Sequence, residues 1–297
     1  MIVAPTIDMT ADALLAEASA ATGLSDFGDP SFRTGLDRLL ASVAQDSIFS
    51  EPGAAAFRAA LVQRLVTRLE VEDWYCRHPE IDAQEIADPV FIVGLPRTGS
   101  TALSHMMALD PDTRTLRSWE AARPCPPPEV ATALTDPRIA QNEAREQAFE
   151  AAAPGVREAL PRNPSAPTEC FTLLELSFAS AAEDGFLLCR DFCAWVTTEN
   201  RDALYAAYRS HRRVLKLLQW RHPARRWALR APIHAFAMEP LLAAYPDARF
   251  VMTHRDPAKV LPSSCSLIAE VRKLFLQERG AAEMGPDMTR SWAMALE

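Results

Sequence analysis

Apolar side chains return every three or four positions through the first 88 residues, in DALLAEASAA (12–21), FRTGLDRLLASVA (32–44) and AAFRAALVQRLVTRLEVEDWY (55–75). That period lays one apolar stripe along each segment and predicts three amphipathic helices. Gly28-Asp29-Pro30 and Glu51-Pro52-Gly53 separate them as turns. Asp88-Pro89 then ends the helical pattern. Val90-Phe91-Ile92-Val93 is a short unbroken apolar run, the pattern of a strand buried on both faces.

Beyond it, STALSHMMAL (100–109) has helix period, RPCPPP (123–128) reads as a loop, and PRIAQNEAREQAFEAAA (137–153) as a polar helix. Residues 154–167 hold four prolines and read as irregular; helices are expected near 168–180 and 202–219. RWALRAP (226–232) and ARFVMTHRDP (248–257) read as strands running into loops, each followed by a helical segment. This alternation predicts an α/β fold of the P-loop type, a parallel β-sheet flanked by helices, with an N-terminal helical region. The expected division is a helical region over 1–88 packed on an α/β core over 89–297, the two forming one structural unit.

Composition narrows the class without changing that picture. Apolar residues make up 48% and charged residues 24% of the 297, ordinary for a chain that buries a full core. No apolar stretch is long enough for a membrane span, and the N-terminus lacks a basic segment, so a cytoplasmic protein without a signal peptide is expected. The six cysteines show no C-x-x-C and no matched Cys/His pairs, which predicts reduced thiols and no metal site. A net charge of −8 argues against nucleic acid as a partner. Within that average, residues 203–238 carry eight Arg/Lys and no Asp or Glu, a block where an anionic ligand is expected.

Candidate chemistry begins at GLPRTGST (94–101). Gly94, four intervening residues, Gly99 and Thr101 reproduce the frame of a phosphate loop, but Ser100 stands in the lysine slot and the cation is Arg97. A strand, a tight glycine loop and a helix start bring backbone N–H groups to one point, where an anion binds; Ser100 and Thr101 add hydroxyls, and Arg97 a fork suited to a tetrahedral oxyanion. A nucleotide kinase would also need an aspartate for Mg²⁺ at a second strand end. There the chain has Thr253-His254-Arg255, and Asp256 reads as the N-cap of the following helix. Arg255 and Ser263, eight positions apart, make a reasonable clamp for a second phosphate.

Together GLPRTGST, RWALRAPIH (226–234) and THRDPAKVLPSS (253–264) resemble the sulfotransferases that use 3′-phosphoadenosine 5′-phosphosulfate (PAPS), closest to the bacterial branch with an arginine in the first loop. The resemblance covers about residues 88–275. It implies that Arg97, Thr98, Gly99, Ser100 and Thr101 grip the 5′-phosphosulfate and that Arg255 and Ser263 grip the 3′-phosphate. It further implies metal-independent transfer of a sulfuryl group to the hydroxyl, or amine, of a small-molecule acceptor. Arg97 and Arg230 are the expected catalytic cations, Arg230 standing where the family has lysine. His234 is the first candidate for the base, with Glu169 and His254 as alternatives; the plain reading of Glu169 is a first-turn or capping carboxylate. Relatives continue past the position of Glu297, so a truncated chain is expected. A P-loop kinase and a non-catalytic PAP(S)-binding protein are the alternative readings.

Overall fold

The computed structural model describes residues 9–152, 154–159, 163–277 and 284–296. Residues 1–8, 153, 160–162, 278–283 and 297 lie outside them. The three N-terminal helices form as their periodicity predicts: α1 (Ala11–Thr22), α2 (Ser31–Asp46) and α3 (Glu51–Arg77). Thr10 caps α1 by accepting from the Ala13 amide, and Ser50 caps α3 by accepting from the Gly53 amide, so each helix start has a side-chain acceptor for an otherwise orphaned donor. Leu14, Leu36, Leu39, Leu61, Leu65 and Leu69 are fully buried along the facing stripes. These side chains belong to one apolar cluster that continues through Phe91, Trp227, Leu229 and Leu241 of the α/β region.

The sheet has four strands, β1 (Val90–Val93), β2 (Thr113–Thr115), β3 (Arg226–Arg230) and β4 (Arg249–Met252), in the order β2-β3-β1-β4 and all parallel. β1 lies between β3 and β4 and is buried throughout, in keeping with its unbroken apolar sequence. Register pairs Ile92 with Arg230 and Val93 with Met252, so the chain leaves β1, β3 and β4 at the same carboxyl edge. Ligands bind at that edge in open α/β sheets. Helix α4 (Ser100–Met107) follows β1, and the helices Met238–Ala244 and Pro257–Arg272 flank β4.

One strand is not anticipated, and two local expectations are corrected. β2 is short and polar, Thr-Arg-Thr, so it carries no apolar run; its buried Arg114 donates to the Leu218 carbonyl and to Glu120, each at 2.7 Å. The helix expected near 168–180 is only Phe171–Leu174 with one 3-10 turn, Glu175–Ser177, stopped by Phe178 in the left-handed region at φ 48°. Part of the proline-rich stretch is helical instead of irregular, over Pro154–Ala159.

Candidate active site

The turn between β1 and α4 is built on backbone that ordinary residues avoid. Gly94 has φ 118° and Gly99 φ 97°, and a Cβ on Gly94 would stand 2.7 Å from the Thr253 carbonyl oxygen. Glycine therefore lets the ends of β1 and β4 approach. Arg97 also has positive φ, 63°, unusual for a side chain of its size. Gly99 is the N-cap of α4 and has no side chain to offer, so the amides of the first turn are not capped by it.

Side chains from the far end of the sequence close on this turn. Arg97 Nε donates to Ser263 Oγ at 3.1 Å, and Arg255 donates through a terminal guanidinium nitrogen to the Arg97 carbonyl at 3.1 Å. Thr98 Oγ1 donates to the Leu95 carbonyl at 2.7 Å and lies 2.6 Å from Thr253 Oγ1. The Asp256 carboxylate is occupied as a helix cap, accepting from the Ala258 amide at 3.0 Å, as its position before Pro257 predicts. The polar groups assembled around the turn are therefore donors and cations. Thr253, which bridges the two strand ends, had no signature in sequence.

Arg230, at the end of β3, is buried, with 6% of its side chain exposed, and donates to Glu169 Oε1 at 2.6 Å. Glu169 is thus held by an arginine across the sheet edge, while the helix it precedes has Cys170 as its N-cap. The Cys170 amide donates to the Arg230 carbonyl at 2.8 Å, fixing the two segments together. Arg230 Nε is buried without a partner. Arg97, Gly99, Ser100, Thr101, Arg230 and Glu169 share one cavity of about 2400 Å³. Its walls also include Phe171, Phe186 and Phe236, so the cavity is partly aromatic.

His234 does not join them. It sits in the short 3-10 turn Pro232–Ala237, fully buried, with Nδ1 2.6 Å from the Tyr208 hydroxyl and its ring edge-on to Phe91. Its neighbours Pro232 and Ile233 line the cavity, but His234 faces the core. A second pair, His211 Nδ1 and the Tyr245 hydroxyl at 2.6 Å, packs beside it. Burial holds His234 well below the usual histidine range, with His211 adding to the shift, and burial alone lowers His211 to about 3. His234, the expected base, is therefore placed in the core and not on the cavity wall. His254 is exposed at the end of β4 and not packed into the sheet.

The basic block over 203–238 is also reassigned. Arg209, Arg213, Lys216, Arg221 and Arg225 pair with Asp29, Glu72, Asp82, Glu129 and Asp112 from distant segments, so most of its charge is neutralised within the protein. Arg230 is the member that reaches the cavity. Sequence reasoning missed a second charged cluster on the wall: Arg64 of α3 pairs with Glu175 at 3.0 Å and with Glu183. Burial raises the Glu175 carboxyl to about 8, partly opposed by Arg64 and reinforced by Glu183.

The carboxyl edge of this α/β sheet thus presents a glycine turn, arginines and hydroxyl donors. The chain belongs to the sulfotransferase family: the family's sequence model matches residues 89–297. Among solved structures it is similar to sulfotransferase STF1 from Mycobacterium tuberculosis H37Rv, with TM-score 0.86 and 30% identity, over 97% of this chain and 78% of that one. It is also similar to sulfotransferase STF9 from Mycobacterium avium, with TM-score 0.84 and 29% identity, over 97% of this chain and 74% of that one. No curated protein matches the sequence.

Proposed function

We propose that this protein transfers a sulfuryl group from PAPS to a hydroxyl, or an amine, of a small-molecule acceptor, without a metal ion. The observation that carries the proposal is the convergence of Arg97, Arg255 and Ser263 on one glycine turn at the mouth of a partly aromatic cavity. This donor set suits a nucleotide bearing two separate anionic groups. The strand end that would supply a Mg²⁺ carboxylate in a kinase carries Thr253, His254 and Arg255, and Asp256 is committed to its helix.

PAPS supplies an activated sulfuryl group on a phosphate leaving group. The turn amides, with the hydroxyls of Ser100 and Thr101, donate to the 5′ anionic end, and Arg97 offsets the charge that grows there as the sulfur–oxygen bond to phosphate breaks. Thr98 holds the turn in shape through Leu95 and Thr253. Arg255 and Ser263 hold the 3′-phosphate and so fix the register of the nucleotide. Arg230 neutralises charge on the transferring group. Glu169, held by Arg230 on the cavity wall, accepts the acceptor's proton as the new sulfur–oxygen bond forms. The aromatic wall favours an acceptor with an apolar body.

Labelled sulfate transfer from PAPS to a panel of phenols, alcohols, sugars and amines tests the proposal. Labelled product that disappears in Glu169→Gln is expected. PAP binding with no transfer to any acceptor would mark a nucleotide-binding protein instead and contradict the catalytic reading.

A further inference from the structure

At the same cavity, remote in sequence from the glycine turn, Asp184 and Cys193 on the wall and Cys189 behind them bring one carboxylate oxygen and two sulfurs to within 4.8 Å of one another, a cluster of ligand atoms found once among the described residues. We propose that these three residues bind a thiophilic divalent cation of the Zn²⁺ class.

The geometry supports it in three ways. Cys189 Sγ and Cys193 Sγ are 3.8 Å apart. Two thiolates each about 2.3 Å from a tetrahedral ion stand about 3.8 Å apart, so the sulfurs already have the spacing the ion imposes. The spacing is set by the fold, since the residues lie four apart, one helical turn, on and just before the helix Arg190–Ala194. The third ligand is positioned independently. Asp184 lies in the turn Glu183–Phe186, where its carboxylate pairs with Arg272 at 3.5 Å. A carboxylate oxygen about 2.1 Å from the same ion would stand about 3.6 Å from each sulfur, which a side-chain rotation of Asp184 supplies.

The ion has a route in. Asp184 and Cys193 line the cavity, whereas Cys189 is fully buried behind them. Three protein ligands leave the fourth position towards the cavity. Binding exchanges both thiol protons for the cation and draws Asp184 from Arg272. It thereby ties the Glu183–Phe186 turn to the next helix and loosens its link to the helix Pro257–Arg272.

Titration of the reduced full chain with Cd²⁺, followed by thiolate-to-metal charge-transfer absorption, tests the site, with Zn²⁺ as competitor. The expected result is one tightly held ion per chain, displaced by Zn²⁺, with release of about two protons per ion. Cys193→Ser and Cys189→Ser should each weaken binding by more than the ten- to hundredfold typical of an outer-shell partner, and Cys76→Ser should leave it unchanged. Asp184→Asn keeps both thiols and should weaken binding at least about tenfold, which covers the case of a serine variant that does not fold. Absence of the absorption, its survival in the Cys189→Ser/Cys193→Ser double variant, or its loss in Cys76→Ser would overturn the assignment.

Discussion

Arg97 Nε donates to Ser263 Oγ at 3.1 Å, although 166 positions separate the two residues in the chain. The contact joins the turn after β1 to the helix after β4 and so holds the two halves of the proposed nucleotide site in register. Preorganisation of this kind removes ordering costs from binding. Arg97→Ala and Arg255→Ala should therefore each weaken PAP binding roughly ten- to a hundredfold, as loss of a charge-assisted hydrogen bond worth about 1.5–3 kcal/mol implies. Ser263→Ala should cost less. Calorimetric titration of PAP checks the order.

Glu169 carries a separable prediction. If it takes the acceptor's proton, Glu169→Gln should lower kcat by about 10²–10⁴-fold while PAP affinity changes little. The glutamine can still accept from Arg230, so the cavity wall keeps its shape. Equal losses in kcat and PAP affinity would instead mark Glu169 as a residue that only holds Arg230.

His234 should behave as a core residue. His234→Ala removes a buried ring and leaves the Tyr208 hydroxyl without its partner, at a cost of about 2–4 kcal/mol in stability. Urea unfolding measures that loss. The pH profile of turnover in Tyr208→Phe should match that of the unaltered protein; a shifted profile would return His234 to the chemistry.

Stability should peak near pH 6.5. His211, at about 3, and His234, well below the usual range, stay neutral in the fold, whereas in the unfolded chain both titrate at 6.5. Below that pH the unfolded state binds two more protons, so their contribution is complete above it and lost as pH falls. Glu175 acts oppositely: its folded value of about 8 lies above the unfolded 4.5, so its contribution is lost as pH rises between them. Between 4.5 and 6.5 the histidines, joined by His222 with a folded value of about 4, outweigh Glu175, so stability rises with pH. Above 6.5 the histidine contribution is complete while Glu175 still loses its own, so stability falls. Glu175→Gln should remove the alkaline decline and steepen the acid limb; urea midpoints across pH report both.

The sequence made the periodic parts of this fold legible. β1, β3, β4 and the three N-terminal helices follow from apolar period, and the glycine turn with Arg97, Arg255 and Ser263 follows from residue type at strand ends. What it could not reveal depends on which side chains meet. His234 looked available because a histidine stood just past a strand end, but Tyr208 and Phe91, distant in sequence, claim it for the core. The basic block around 203–238 looked like an anion site because its carboxylate partners lie on other segments. β2 escaped because Thr113–Thr115 has no apolar alternation, and the Cys189/Cys193 pair because its third ligand completes it only in space.

The central claim is that this turn and its arginines hold a PAPS-type nucleotide and not a metal-bound nucleoside polyphosphate. Parallel calorimetric titrations with PAP, without metal, and with ADP–Mg²⁺ test it most directly, each on the unaltered protein and on Arg255→Ala. The account predicts tight, metal-independent PAP binding that Arg255→Ala weakens roughly ten- to a hundredfold, with weak ADP–Mg²⁺ binding. Preference for ADP–Mg²⁺, or PAP binding indifferent to Arg255, would contradict it.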